Sequence, residues 1–160
     1  MRKTVLCALV ACFMVLASAP ARSADEAGKC YGLRAGYGLD PDQFVVGAQA
    51  DMGSIYRNVH FAPSFDAGFG DHLTTLTFNG DINIFLHLPK SLASLYGIVG
   101  PAICVWTPEE GDGDTEIGVN LGVGARMALG GSGWYNIEAR FGAGDIPEMR
   151  FLFGVLFGGR

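Results

Sequence analysis

From Ile117 to Leu129 the chain alternates without interruption. Ile117, Val119, Leu121, Val123, Ala125, Met127 and Leu129 are apolar, and between them stand glycines, Asn120, Arg126 and Ala128. A period of two belongs to a β-strand with two unlike faces. After a Gly-Gly-Ser-Gly turn at 130–133 the pattern returns, with Tyr135, Ile137, Ala139 and Phe141 on one face and Asn136, Glu138 and Arg140 on the other. Such a hairpin must hide one face from the solvent it meets, and the rest of the sequence has to say which.

The same alternation recurs along the chain and yields eight strands, each bounded by turn residues. The first sets Tyr31, Leu33, Ala35, Tyr37 and Leu39 against Gly32, Arg34, Gly36 and Gly38. The second sets Phe44, Val46, Ala48, Ala50 and Met52 against Gly47, Gln49 and Asp51. The third opposes Val59, Phe61, Pro63, Phe65, Ala67 and Phe69 to His60, Ser64 and Asp66, and the fourth opposes Leu76, Phe78, Ile82 and Ile84 to Thr77, Asn79, Asp81 and Asn83. In the fifth, residues 95–106, Gly100-Pro101 breaks the pattern and predicts a bulge. The hairpin supplies the sixth and seventh strands. The eighth opposes Met149, Phe151, Phe153, Val155 and Phe157 to Arg150 and Gly154.

The first residues place this sheet in a compartment. Arg2 and Lys3 precede an apolar run from about Val5 to Ala17, which ends in small residues and Ala-Pro-Ala-Arg-Ser. This is the pattern of a secretory signal, expected over residues 1–23, with residues 24–160 forming one domain. Removing the leader takes three of the 11 basic residues and none of the 16 acidic ones, so the remainder carries a net −8. That charge argues against nucleic acid as a partner.

An exported sheet with one apolar face has two ways to hide it. It can pack two sheets face to face, or close into a barrel whose apolar face meets lipid. Strands of 9 to 12 residues suit a tilted membrane span, and an even number closes without edges. The connections separate by charge. The first, third, fifth and seventh hold Asp40, Asp42, Asp71, Glu109, Glu110, Asp112, Asp114, Glu116, Asp145 and Glu148, whereas the second, fourth and sixth hold Arg57 and Lys90 and no acid. Opposite sides of a membrane explain that segregation. Tyr31, Tyr96 and Trp134 are expected at the inner rim and Tyr37 and Trp106 toward the outer one, where amphipathic rings gather.

The fold class that follows is all-β: an eight-stranded antiparallel up-and-down transmembrane barrel with a polar, side-chain-filled lumen. A barrel of this size is just wide enough for its own side chains. Inward glycines at 32, 36, 118, 122, 124 and 142 are expected to make room for long neighbours. Arg34, Asp51, Asp66, Asp81, Arg126, Glu138, Arg140 and Arg150 then share the lumen and must pair, because an uncompensated buried charge is costly. Face parity permits a register that sets Arg126 directly opposite Glu138, and one two residues away would leave them diagonal neighbours.

A leader, eight amphipathic strands, short inner turns and a charged lumen resemble the small outer-membrane barrels: the transmembrane domain of outer membrane protein A and the OmpX-like and opacity-like proteins. The resemblance spans roughly residues 29 to 158 and is architectural. It implies an outer-membrane location, a structural role in envelope integrity without an open pore, lipid and lipopolysaccharide as surroundings, insertion by the assembly machinery, and a monomer. Outer loops as short as these do not suit adhesion.

Two other functions compete. A periplasmic soluble barrel or sandwich would bind an apolar ligand between its apolar faces. A lipid A-modifying enzyme would need Ser, His and an acid on the outer wall, but His60, Ser64 and Asp66 point inward, His72 lies on an outer loop and His87 near the inner rim. No catalytic residue, cofactor or dedicated metal site is therefore expected. Glu109, Glu110, Asp112, Asp114 and Glu116 form an acidic loop that could hold a divalent cation weakly, without the ligand spacing of a calcium loop. Cys30 and Cys104 fall at opposite ends of the barrel, so both are expected as free thiols.

Overall fold

Alternation carries directly into the backbone. The computed structural model describes residues 28–86, 93–129 and 133–158, so the expected leader, His87, Lys90 and the turn at 130–132 lie outside the described residues. The strands are β1 (Cys30–Asp40), β2 (Asp42–Asp51), β3 (Ser54–Tyr56), β4 (Val59–Gly70), β5 (Leu73–Leu86), β6 (Ala93–Pro108), β7 (Asp114–Leu129), β8 (Gly133–Gly144) and β9 (Met149–Gly158). All pairings are antiparallel. β1 pairs with β9, and β2 with β4, so eight strands close into a barrel. β3 is an addition to the expected eight: it pairs only with β4, within a connection read from sequence as a bare turn.

Side-chain direction follows residue parity around the whole wall. Inward residues are even-numbered in β1, β4, β6, β7, β8 and β9, and odd-numbered in β2 and β5. On β1, Leu33 is 70% exposed and its neighbour Arg34 only 3%. The barrel is thus apolar outside and charged inside, the reverse of a small water-soluble barrel.

Four expectations need correction. The first is the bulge at Gly100-Pro101, which does not form. The β5–β6 ladder omits that step but resumes in the same register, from Asn79–Ala102 to Ile82–Val99, and the β6–β7 ladder runs through it unbroken. Proline removes a donor there without shifting the strand. A shift does occur in β1, between Gly38 and Asp40.

The second is the rim aromatics. Tyr31 and Tyr37 face outward, but Tyr96 and Trp134 are even-numbered residues of β6 and β8 and point into the lumen, 1% and 4% exposed. With Cys30, Phe85, Ile98, Ala128 and Leu156 they form an apolar plug at the end where β1 begins, called the inner end. Trp106 also turns inward, against Ala102, Cys104 and Ile146 at the outer end. Its indole N–H donates to the Asp145 carbonyl at 2.9 Å.

The third is the direct pairing of Arg126 with Glu138: of the β7–β8 registers that parity permits, a diagonal one forms. Glu138 faces Gly124, and Arg126 faces Asn136. Gly124 is itself opposed on β6 by Tyr96, whose ring would lie 2.3 Å from a Cβ there, and whose hydroxyl meets Glu138 across that gap. The fourth concerns glycines 32, 36 and 122. An added Cβ at each would meet backbone of the adjacent strand, so these residues permit close strand approach. Gly118 and Gly142 do make room for a side chain, that of Ile146.

Candidate functional site: the lumenal charge network

Between the two apolar plugs lies the charged middle of the barrel. Among the described residues, the buried charged side chains are four arginines, Arg34, Arg126, Arg140 and Arg150, and four carboxylates, Asp51, Asp66, Asp81 and Glu138. The interior is therefore balanced, apart from His60. Each charged group reaches its place by parity alone, since all occupy inward positions on their strands.

Asp66 is one centre. Arg34 donates to both its oxygens, from Nε at 2.7 Å and Nη2 at 2.6 Å, and Arg150 Nη1 and Asn79 Nδ2 donate to Oδ2 at 3.2 and 3.1 Å. A forked arginine–carboxylate pair of this kind is directional as well as strong. Arg34 also reaches the Ser64 hydroxyl at 2.7 Å.

Glu138 is the other. It accepts from Arg140 Nε at 2.8 Å, the Tyr96 hydroxyl at 2.8 Å, Asn136 Nδ2 at 3.1 Å and Arg34 Nη1 at 3.3 Å. Arg140 continues to Asp81. Asn120 ties the remaining ends together, donating to Asn79 Oδ1 at 2.6 Å and Asp81 Oδ1 at 3.3 Å and accepting from Arg150 Nη2 at 2.8 Å. Six of the eight charges so form one connected network, in which each carboxylate has several donors.

The remaining pair lies nearer the inner plug. Arg126 Nη1 donates to Asp51 Oδ2 at 2.6 Å, and the guanidinium sits 4.9 Å from the Phe85 ring centroid. Such stacking favours a cation. Asp51 also meets His60 Nδ1 at 2.9 Å and accepts the Gly53 amide at 2.9 Å. Arg126 makes no bond to Glu138, the partner expected for it; the observed register moves Glu138 one pair along, beneath Tyr96.

Asparagines, Gln49, Tyr96 and His60 join this network without having been singled out as members of it. Gln49 and Asn136 exchange amide bonds at 2.9 and 3.0 Å. The signal was present: asparagine is depleted in strands, and here it recurs on the inward face. Little space is left. A cavity bounded by residues including Arg34, Asn83, Arg126, Glu138 and Leu156 holds about 10 Å³, room for about one water.

The other chemistry-bearing residues are dispersed. His60 is engaged by Asp51 and Ser64 by Arg34. On the outer rim His72 Nδ1 meets Glu109 Oε2 at 2.6 Å, with both side chains exposed. Glu109, Glu110, Asp112, Asp114 and Glu116 stay on the outer side, and among the described residues no three His, Cys, Asp or Glu side chains are grouped to hold a metal. Cys30 and Cys104 are buried and free, in separate apolar clusters.

No family model and no curated protein sequence matches this chain. Solved structures do. The N-terminal β-barrel domain of Pseudomonas aeruginosa OprF aligns with a TM-score of 0.65 at 15% identity, over 82% of this chain and 98% of that one. Neisserial surface protein A aligns at 0.56 with 12% identity, over 81% and 93%. The Yersinia pestis outer membrane protein Ail, solved in a phospholipid bilayer nanodisc, aligns at 0.50 with 12% identity, over 81% and 98%.

Proposed function

We propose that this chain, which shares its fold with small eight-stranded outer-membrane barrels, is an integral outer-membrane protein with a structural, non-enzymatic role in the envelope and no open pore. One observation carries the reading: large apolar side chains are exposed around the wall, while the buried charges are paired inside it. Lipid makes the first arrangement favourable, and the second keeps the lumen shut. A cleaved leader at residues 1–23 supplies the export route, and outer-membrane lipid and lipopolysaccharide are the immediate partners.

The test is a boiled-against-unboiled gel of the envelope fraction, joined to conductance in a planar bilayer. A membrane-pelleting band whose mobility changes on boiling, with no channel steps, supports the reading. A band in the osmotic-shock supernatant overturns the membrane assignment, and discrete conductance overturns the closed lumen. Sensitivity of a deletion strain to detergent and large antibiotics reads the envelope role directly.

A further inference from the structure

Four outward positions in one cross-strand row present almost no mobile side chain: Ala50 on β2, Pro63 on β4, Gly80 on β5 and Pro101 on β6. Pro63 pairs with Gly80. The β2–β4 ladder stops at Gln49–Ser64, yet the Met52 N–H donates to the Phe61 carbonyl at 2.9 Å, so the unchanged register sets Ala50 against Pro63. The gap in the β5–β6 ladder likewise sets Gly80 against Pro101. Hydrogen-bonded pairs alternate along an antiparallel ladder. Met52–Phe61 is such a pair, so Ala50–Pro63 is the next, and the donor due to the Ala50 carbonyl is missing because proline has no N–H.

The second seam repeats the loss. The Gly80 carbonyl points at β6, because a Cβ built on Gly100 would lie 2.5 Å from it, and the nitrogen facing it belongs to Pro101. No side chain among the described residues replaces either donor. Around the row stand Tyr31, Phe61, Phe65, Phe78 and Ile103, the walls of an outward-opening groove of about 720 Å³. Its floor reaches Ser64, which is only half-buried although it bonds Arg34 in the lumen.

We propose that this groove binds a hydroxylated acyl chain of a membrane lipid. The inference rests on the reading of this wall as lipid-facing. Hydrocarbon has no water to satisfy a bare carbonyl. A saturated chain fills the groove and leaves both carbonyls bare, whereas a chain hydroxyl donates to one. Tyr31 pairs with Ala50 near the start of β1, so the row climbs from the inner rim toward Gly80 at the middle of β5. The hydroxyl that reaches Gly80 therefore belongs in mid-chain, with the headgroup at the inner rim.

The experiment places the barrel in dioleoylphosphatidylcholine nanodiscs with equal amounts of 12-hydroxystearoyl and stearoyl phosphatidylcholine, strips loose lipid with mild detergent and counts retained lipid by native mass spectrometry. The hydroxylated lipid is expected to be favoured about fivefold, the ratio given by one net hydrogen bond. Replacing both prolines, Pro63→Ala with Pro101→Ala, restores the donors and should bring the ratio to one. Gly80→Leu should lower retention of both lipids, since its Cβ meets nothing nearer than Pro101 Cγ at 3.6 Å and the rest of the side chain fills the groove. Equal retention by the native sequence, or a preference that survives the proline replacements, overturns the proposal. Mobility on unboiled gels separates the two readings: a folded barrel without preference defeats only the groove, and a chain that never enters the bilayer defeats both.

Discussion

Arg126 reaches across the lumen to Asp51, Nη1 to Oδ2, at 2.6 Å. β7 and β2 are not neighbours in the sheet, so this bond exists only when the barrel is closed. Replacing Asp51 with Asn should therefore leave Arg126 uncompensated and destabilise the barrel by about 3 kcal/mol. Adding Arg126→Met should recover part of the loss. A double-mutant cycle by urea unfolding in detergent checks this, and additive effects would mean the pair is not coupled.

Glu138 collects four donors, two of them from arginines. Glu138→Ala removes them all and is expected to cost about 3 to 5 kcal/mol. Tyr96→Phe removes one neutral donor to that carboxylate and a weaker acceptor for Asn136, and should cost less, about 1.5 to 3 kcal/mol. Tryptophan fluorescence follows both unfolding curves, because Trp134 lies in the inner plug and Trp106 at the outer end. Equal midpoints for Glu138→Ala and the native sequence would show that the network carries no stability.

Gly124 is opposed by a ring. Gly124→Val puts branched carbon where Tyr96 stands, and overpacking should cost about 1 to 3 kcal/mol. Combining it with Tyr96→Leu should restore part of that. No rescue would mean that the glycine serves the strand backbone instead.

The thiols report on the two ends separately. Neither Cys30 nor Cys104 should react with maleimide in the folded barrel, and both should react after boiling, because both are buried and unpaired. Ile146→Ala removes the side chain that packs beside Cys104. That variant should label faster at Cys104 while Cys30 stays silent, and equal protection of both would show that Ile146 is no cap.

The wall was legible in the sequence because parity needs nothing but the strand itself. Leu33 and Arg34, or Val123 and Gly124, are assigned to opposite faces wherever the partner strand lies. β6 resisted this reading for a physical reason: Tyr96, Ile98, Ala102 and Cys104 face inward, so both its faces are apolar and alternation carries no contrast. The lumenal residues were also readable as a set, but their partners were not. A step of two residues in register preserves every face, and it decides whether Glu138 faces Arg126 or Gly124. Bonds such as Arg126 to Asp51 depend further on how far the strands stagger when the barrel closes, which no local pattern records.

Asp66 serves both Arg34 and Arg150, so a substitution that removes its charge leaves Arg150 with only the neutral Asn120 and Arg34 with only Ser64 and its longer bond to Glu138. Drift at this position has no neutral single step. Positions 34, 66 and 150 are bound to change as a group or stay as they are, and related chains should record that bond as three columns that vary together while the outward-facing positions between them wander freely.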